Sequence, residues 1–266
     1  MTAGRKAARN NCLPLTIDLN ADLGEGFGRS RLWEDEALLD LVSSANIACG
    51  FHAGDAMTMR DTVIAAKVRG VTIGAHPSYP DIPGFGRREL GLAPKEISLH
   101  VAHQIRILRD VCGAEGAKLS YVKPHGALYN RAALDTEAAA AIVKAIREVE
   151  SSLTLLGLAG SEMARAAERG GIAFASEAFV DRAYKPDGTL VPRGESGAVI
   201  QDVKSAVQRA VMLVKGKTIT ADDQSELRIS AQSLCVHGDN PDAAATLRAL
   251  RARLEDSGVT IAPFAA

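Results

Sequence analysis

The stretch Leu-Thr-Ile-Asp-Leu-Asn-Ala-Asp-Leu-Gly-Glu, Leu15 to Glu25, constrains this chain more than any other. Leu15, Ile17, Leu19, Ala21 and Leu23 alternate with Thr16, Asp18, Asn20 and Asp22. That period belongs to a β-strand. On an antiparallel edge the polar face would be wet. In a parallel sheet both faces are covered. Asp18 and Asn20 then point into a dehydrated interior, where a charge has to be paired.

Strand-like and helix-like segments continue in alternation. Strands are expected at 46–50, 71–76, 119–125, 153–158, 172–177 and 233–237. Helices are expected at 32–42, 56–69, 94–111, 136–150, 161–170, 201–214 and 241–256. The polar stretches 179–200 and 217–232 read as small hairpins, and 259–262 as an eighth strand. Strands alternating with helices imply α/β with a parallel sheet. An open doubly wound sheet and a closed barrel both fit that alternation. Face parity separates them, because residues facing a barrel axis must be small or mutually packed, while outward ones meet helices. Glu177 shares its face with Ala173 and Ala175, opposite Ile172 and Phe174. His237 shares its face with Ser233 and Cys235, opposite Leu234 and Val236. His76 shares its face with Thr72 and Gly74. The expectation is an irregular seven-stranded parallel (β/α) barrel, one domain over 15–266 after a disordered lead-in at 1–14.

Composition narrows the function. With 266 residues and a net charge of -1 there is no electrostatic case for nucleic acid or an anionic membrane. No apolar run is long enough to span a bilayer, and residues 1–14 lack the apolar core of a signal peptide. Cys12, Cys49, Cys112 and Cys235 form no CxxC pair, so a reduced, cytoplasmic protein is expected. Gly216-Lys217-Thr218 resembles the end of a phosphate loop, but Val211 stands where its first glycine is required.

Functional residues of such folds gather at the carboxyl ends of the strands. Here that rim carries Asp18, Asn20 and Asp22, then His52, Asp55 and His76. Lys123, His125, Glu177, Asp181, Arg182 and His237 follow. Four of six histidines lie there; His100 and His103 flank the apolar stripe of a helix and read as surface residues. Asp55 fits a helix cap as well as a site acid. Arg182 offers Glu177 a structural partner. A lysine facing a barrel axis has little structural reason to exist, so Lys123, on one face with His125, points to chemistry. The long loop 77–90, with Arg87 and Arg88, is expected to act as a lid. Histidines and acids converge enough on the rim for a metal to be conceivable, but no compact ligand spacing supports one, and the question of a metal stays open.

Several blocks closely resemble the LamB/YcsF family: residues 17–25, 44–55, 74–81, 84–88, 122–130, 181–184, 190–193 and 235–239. The resemblance is collinear from about 15 to 258. It implies a seven-stranded barrel of the glycoside hydrolase/deacetylase type. It also implies ATP-dependent opening of the lactam 5-oxo-L-proline to L-glutamate, with ATP as co-substrate and two companion subunits, B and C. A five-membered lactam is an unstrained amide with a poor leaving group, so phosphorylating its oxygen would make the ring carbon reactive. On that reading Asp18 or Asp22 is the general base, His125 the acid, and Lys123 stabilises developing negative charge. Arg182 or Arg193 clamps the substrate carboxylate, and Asn20, His52, His76, Glu177 and His237 complete the rim. Two alternatives are a metal-dependent deacetylase-like hydrolase using His52, His76 and an Asp, and a non-catalytic lactam-binding subunit.

Overall fold

The computed structural model describes residues 15–26, 32–237 and 242–265, with the side chains of 32–34 left out. The expected lead-in at 1–14 lies outside the described residues. The strands are β1 (Thr16–Leu23), β2 (Ser44–Ala48), β3 (Thr72–His76), β4 (Leu119–Val122), β5 (Thr154–Leu158) and β6 (Phe174–Phe179). They are followed by the antiparallel pair β7 (Ile219–Thr220) and β8 (Glu226–Leu227), then β9 (Ser233–Val236) and β10 (Thr260–Ile261). β1 to β6 pair in sequence order, all parallel. β9 pairs with both β6 and β1, which closes a seven-stranded barrel. The 259–262 segment does not join that ring: β10 lies beside the start of β1, Thr16 against Thr260.

Helices cover the outside: α1 (Leu32–Leu39), α2 (Ala56–Val68), α3 (Pro94–Ala114), α4 (Gly126–Leu134), α5 (Thr136–Val149), α6 (Glu162–Gly170), α7 (Val203–Val214) and α8 (Ala243–Glu255). Leu19, Ala21 and Leu23 of β1 are fully buried in the layer between strands and helices, with Ile97, Val101 and Ile105 of α3 and Ile142 and Ile146 of α5. Removing such side chains from water is the main favourable contribution to folding, on the order of 2 kcal/mol for each large aliphatic. Asp55 caps α2, its carboxylate accepting from Met57 N and Thr58 N. Asp135 ends α4 and caps α5, accepting from Glu137 N and Ala138 N. α4 was absent from the expected elements. It is short and follows the β4 rim directly, so it has no long periodic run to announce it.

The parity reading holds. The inner face of the barrel carries Asp18, Asn20 and Asp22 from β1, Ser44 and Asn46 from β2, and Tyr121 from β4 with Lys123 just beyond it. β6 adds Glu177, and β9 adds Ser233 and Cys235. Registers Asn20 to Ser44, Asn20 to Cys235 and Glu177 to Ser233 stack these residues in layers. Gly74 on β3 is required by this filling, since a Cβ there would penetrate the Tyr121 ring. Below that ring Phe264 packs edge-on at 5.0 Å, and Leu156, Ala175 and Ala265 complete the lower plug. β6 starts two residues later than expected and runs to Phe179. Glu177 therefore sits inside the barrel, not at its edge.

Candidate active site

At the carboxyl end of the strands lies a cavity of about 300 Å³. Asp22, His76, Lys123, His125 and His237 line it together with Arg87, Arg182 and Arg193, and Tyr129 and Phe179 add an aromatic wall. Asn20 and Glu177 lie immediately beneath, reached through Lys123, and His52 stacks behind His125. Asp18 does not line the cavity. It sits deeper in the barrel, where its carboxylate accepts from Ser43 Oγ and Ser44 Oγ, both at 2.6 Å, and from Ser233 Oγ at short range.

Lys123 is the hinge of the floor. Its ammonium lies 2.9 Å from Glu177 Oε1, 3.0 Å from Asp22 Oδ1, 3.2 Å from Asn20 Oδ1 and 3.1 Å from Cys235 Sγ. Burial opposes the charge on the amine, but Asp22, Cys235 and Glu177 together hold its pKa well above the ordinary lysine value. Burial likewise works to raise the Asp22 carboxyl. The Lys123 ammonium overcomes it and holds Asp22 well below the usual carboxylate range. Asn46 Nδ2 donates to Asp22 Oδ1 at 2.8 Å and to Asn20 Oδ1 at 2.7 Å, and Tyr129 Oη donates to Glu177 Oε2 at 2.8 Å. The partner of Glu177 is thus Lys123, not Arg182.

On one side of the floor stands an acid–imidazole pair. His237 Nδ1 lies 2.9 and 3.2 Å from the two oxygens of Asp181. Burial works to raise Asp181, but His237 outweighs it and keeps the carboxyl below its ordinary value. An ionised carboxylate only accepts, so His237 Nδ1 carries the proton. The ring is stacked on Phe179 at 5.1 Å. In the neutral ring, Nε2 is left as the basic nitrogen of a residue that lines the cavity.

On the other side His52, His76 and His125 meet Glu25. The ring centroids of His52 and His125 are 3.9 Å apart with the planes nearly parallel, and His76 meets both edge-on. Each of the four residues offers a ligand atom within 4.8 Å of the other three. The sequence showed no ligand spacing because these residues come from four separate strand ends. Both nitrogens of His125 are engaged, Nε2 with Phe85 O at 2.9 Å and Nδ1 with His76 Nε2 at 3.0 Å. Burial, then His52 and His76, lower its pKa well below the histidine norm. A neutral, doubly engaged imidazole is poorly suited to the acid role expected of it.

Arg182 is buried and donates to backbone carbonyls, Nε to Ala198 and Nη2 to Val191 at 2.5 Å. Burial and the neighbouring Arg193 bring its pKa down to about 10. Its geometry braces the 190–198 loop that carries Arg193 to the cavity. The 77–90 loop, the expected lid, is hydrogen-bonded to the start of α4 beside the cavity. Pro77 O accepts from His125 N at 2.8 Å, Gly86 O accepts from Ala127 N at 2.9 Å, and Arg88 clamps Asp81. Gly86 has φ +63°, and a Cβ there would strike Ser78 Oγ, so the tight return needs glycine. Three contributors were not singled out in the sequence: Glu25, Tyr129 and, beyond its place on the rim, Asp181. Their position just past a strand end was the one available signal.

A parallel barrel with a polar interior, and a cavity at its carboxyl rim joining an acid–imidazole pair to a buried lysine–carboxylate set, defines a protein of the hydrolytic (β/α)-barrel class. The sequence profile of the LamB/YcsF family matches residues 17–266, and the chain belongs to that family. A Streptomyces avermitilis protein named as the A subunit of 5-oxoprolinase is 52% identical over 94% of this chain and 100% of its own length. One of the same name from Methylococcus capsulatus is 51% identical over 93% and 95%. The crystal structure of a lactam utilization protein from Thermus thermophilus superposes with a TM-score of 0.87 at 42% identity, covering 94% of this chain and 100% of that one. No helix among the described residues is long and apolar enough to cross a membrane.

Proposed function

We propose that this chain supplies the hydrolytic site for opening 5-oxo-L-proline to L-glutamate, acting with companion subunits B and C that deliver ATP-dependent activation of the lactam. The carrying observation is the cavity itself, which gathers Asp22, Lys123 and His237 on its floor and Arg87 and Arg193 around it. A small lactam with a carboxylate, phosphorylated on its ring oxygen, carries two anionic groups for arginines to hold. The Asp181–His237 pair takes a proton from the attacking water at His237 Nε2 and returns it to the departing ring nitrogen; the C–N bond breaks to leave an acyl phosphate, which a second water hydrolyses to L-glutamate and inorganic phosphate. Lys123 keeps Asp22 ionised, and Asp22 in turn orients the water. The two relatives' shared name and the lactam utilization protein's likeness support the substrate class.

The test is turnover of 5-oxoproline by the chain reconstituted with both companions. His237→Gln should lower turnover roughly a hundred-fold or more, the range of a general acid–base group, with an unchanged melting temperature. Full turnover in that variant would remove the pair from the mechanism. Lactam opening by the isolated chain with ATP would refute the division of labour.

A further inference from the structure

We propose that Glu25, His52, His76 and His125 form a binding site for one divalent first-row transition-metal ion. The argument begins with two hydrogen bonds that fix which nitrogens hold protons. His76 Nδ1 lies 2.7 Å from the carbonyl of Lys123, and His125 Nε2 lies 2.9 Å from the carbonyl of Phe85. A carbonyl oxygen only accepts, so both of these nitrogens are N–H donors. In neutral imidazoles the lone pairs then fall on His76 Nε2 and His125 Nδ1. Those two atoms face each other at 3.0 Å. Two acceptors at that distance repel unless a cation lies between or beside them.

The surroundings make the same demand. Glu25 Oε1 lies 3.3 Å from His125 Nδ1, 3.1 Å from His52 Nε2 and 4.0 Å from His76 Nε2. Asp22 Oδ1 adds a further acceptor 3.4 Å from His76 Nε2. His52 is fully buried and turns Nε2 toward Glu25. Ligands about 2.0–2.2 Å from a tetrahedral ion lie about 3.3 Å from one another, close to the 3.0, 3.1 and 3.3 Å pairs of this set, with the 4.0 Å pair to be drawn in by an ion. Backbone carbonyls orient two of the rings in the way metal-bound histidines are oriented. Three imidazoles and one carboxylate suit zinc or a neighbouring late first-row ion over magnesium or calcium. The other nearby cluster, Asp22, Cys235 and His237, is no rival, since the Lys123 ammonium already lies between its first two members. A bound ion would supply Lewis acidity or an activated water beside Asp22. The binding site stands or falls independently of the lactam reading.

The experiment measures metal, not turnover. The full chain is stripped with a chelator and titrated with zinc by calorimetry and with cobalt(II) by visible absorption. One equivalent should bind, the cobalt spectrum should show the intense bands of a low-symmetry site, and excess zinc should raise the melting temperature. Glu25→Gln, at a partly exposed position that leaves the core intact, and His52→Gln should each weaken binding beyond the roughly 10–100-fold expected of a residue that merely supports a ligand. His103→Ala on the exposed face of α3 should change nothing. Absence of stoichiometric uptake overturns the proposal, and would leave a proton shared by His76 and His125. Undiminished uptake in Glu25→Gln, or loss of uptake in His103→Ala, overturns it as well.

Discussion

Asp18 and Asp22 stand four residues apart on the same face of β1, and both are buried, yet their surroundings drive them in opposite directions. Asp22 has a lysine ammonium at 3.0 Å and is held ionised. Asp18 has no cation against it among the described residues. Burial raises its pKa to about 6, and hydrogen bonds from Ser233, Ser43 and Ser44 offset that only in part. The lower layer is thus a structural cradle that tolerates a proton, and the upper layer a charged network that depends on its cation. A buried acid is not a reactive acid by virtue of burial alone; what faces it decides.

Removing that cation should produce the largest effect. Lys123→Met leaves Asp22 and Glu177 as two buried carboxylates with nothing between them. Breaking a buried pair from one side costs about 3–5 kcal/mol, so the melting temperature at pH 7 should fall sharply and turnover should be lost. With the ammonium gone, burial raises the Asp22 carboxyl, so its contribution is largest at low pH and is lost as pH rises. The deficit should therefore shrink on acidification. Four polar contacts on one amine argue against any gain in stability. A variant as stable as the parent at pH 7 would erase the contrast between the layers.

A second change stays in the upper region but should spare stability. Asp181→Asn keeps the shape and removes the charge that fixes the proton on His237 Nδ1. The amide can donate to Nδ1, which favours the tautomer with its lone pair on the wrong nitrogen. Reconstituted turnover should fall on the order of a hundred-fold, with a melting temperature within a few degrees of the parent. The pH profile gives a readout a packing role would not move, since the alkaline plateau of turnover should not be restored at any pH. A variant with normal turnover would place the proton chemistry elsewhere.

Much of this was legible from residues alone. Small and polar partners beside Glu177, His237 and His76 marked the barrel's inner face, and the structure puts those residues there. The histidines at strand ends marked the rim. What could not be read was depth and partnership. Asp18 and Asp22 look alike in an alternating strand, and only the register of β9 and β2 shows that one meets serines and the other a lysine. Asp181 and His237 are 56 residues apart, and no local pattern links them. Glu25 follows Gly24, whose φ of +70° turns the chain, and nothing in the sequence says the turn ends against three histidines. The tethering of the 77–90 loop to His125 N and Ala127 N could not be read either, because loop length carries no information about it.

The smallest effect at neutral pH is expected from Asp18→Asn, and it sharpens the comparison most directly. Asp18 titrates at about 6 in the folded chain against 3.8 for the free side chain. Between those values the native state holds a proton that the unfolded state has lost. Stability linked to Asp18 is therefore fully present below about pH 4 and is lost as pH rises through about 6. The shift of about two units corresponds to at most about 3 kcal/mol at 1.36 kcal/mol each. Asp22, held low, has the opposite sign: its contribution is present at neutral pH and is lost on acidification. The difference between variant and parent isolates Asp18 from it. Asparagine keeps an acceptor for the serine hydroxyls and carries no charge to desolvate; since the serine bonds offset the burial cost only in part, the variant should be no less stable than the parent at pH 8. Denaturant unfolding from pH 4 to 8 should show the variant gaining on the parent as pH rises, and reconstituted turnover should be unchanged. A constant difference across that range would mean that Asp18 is ionised throughout. A turnover loss at unchanged stability would restore it as the general base.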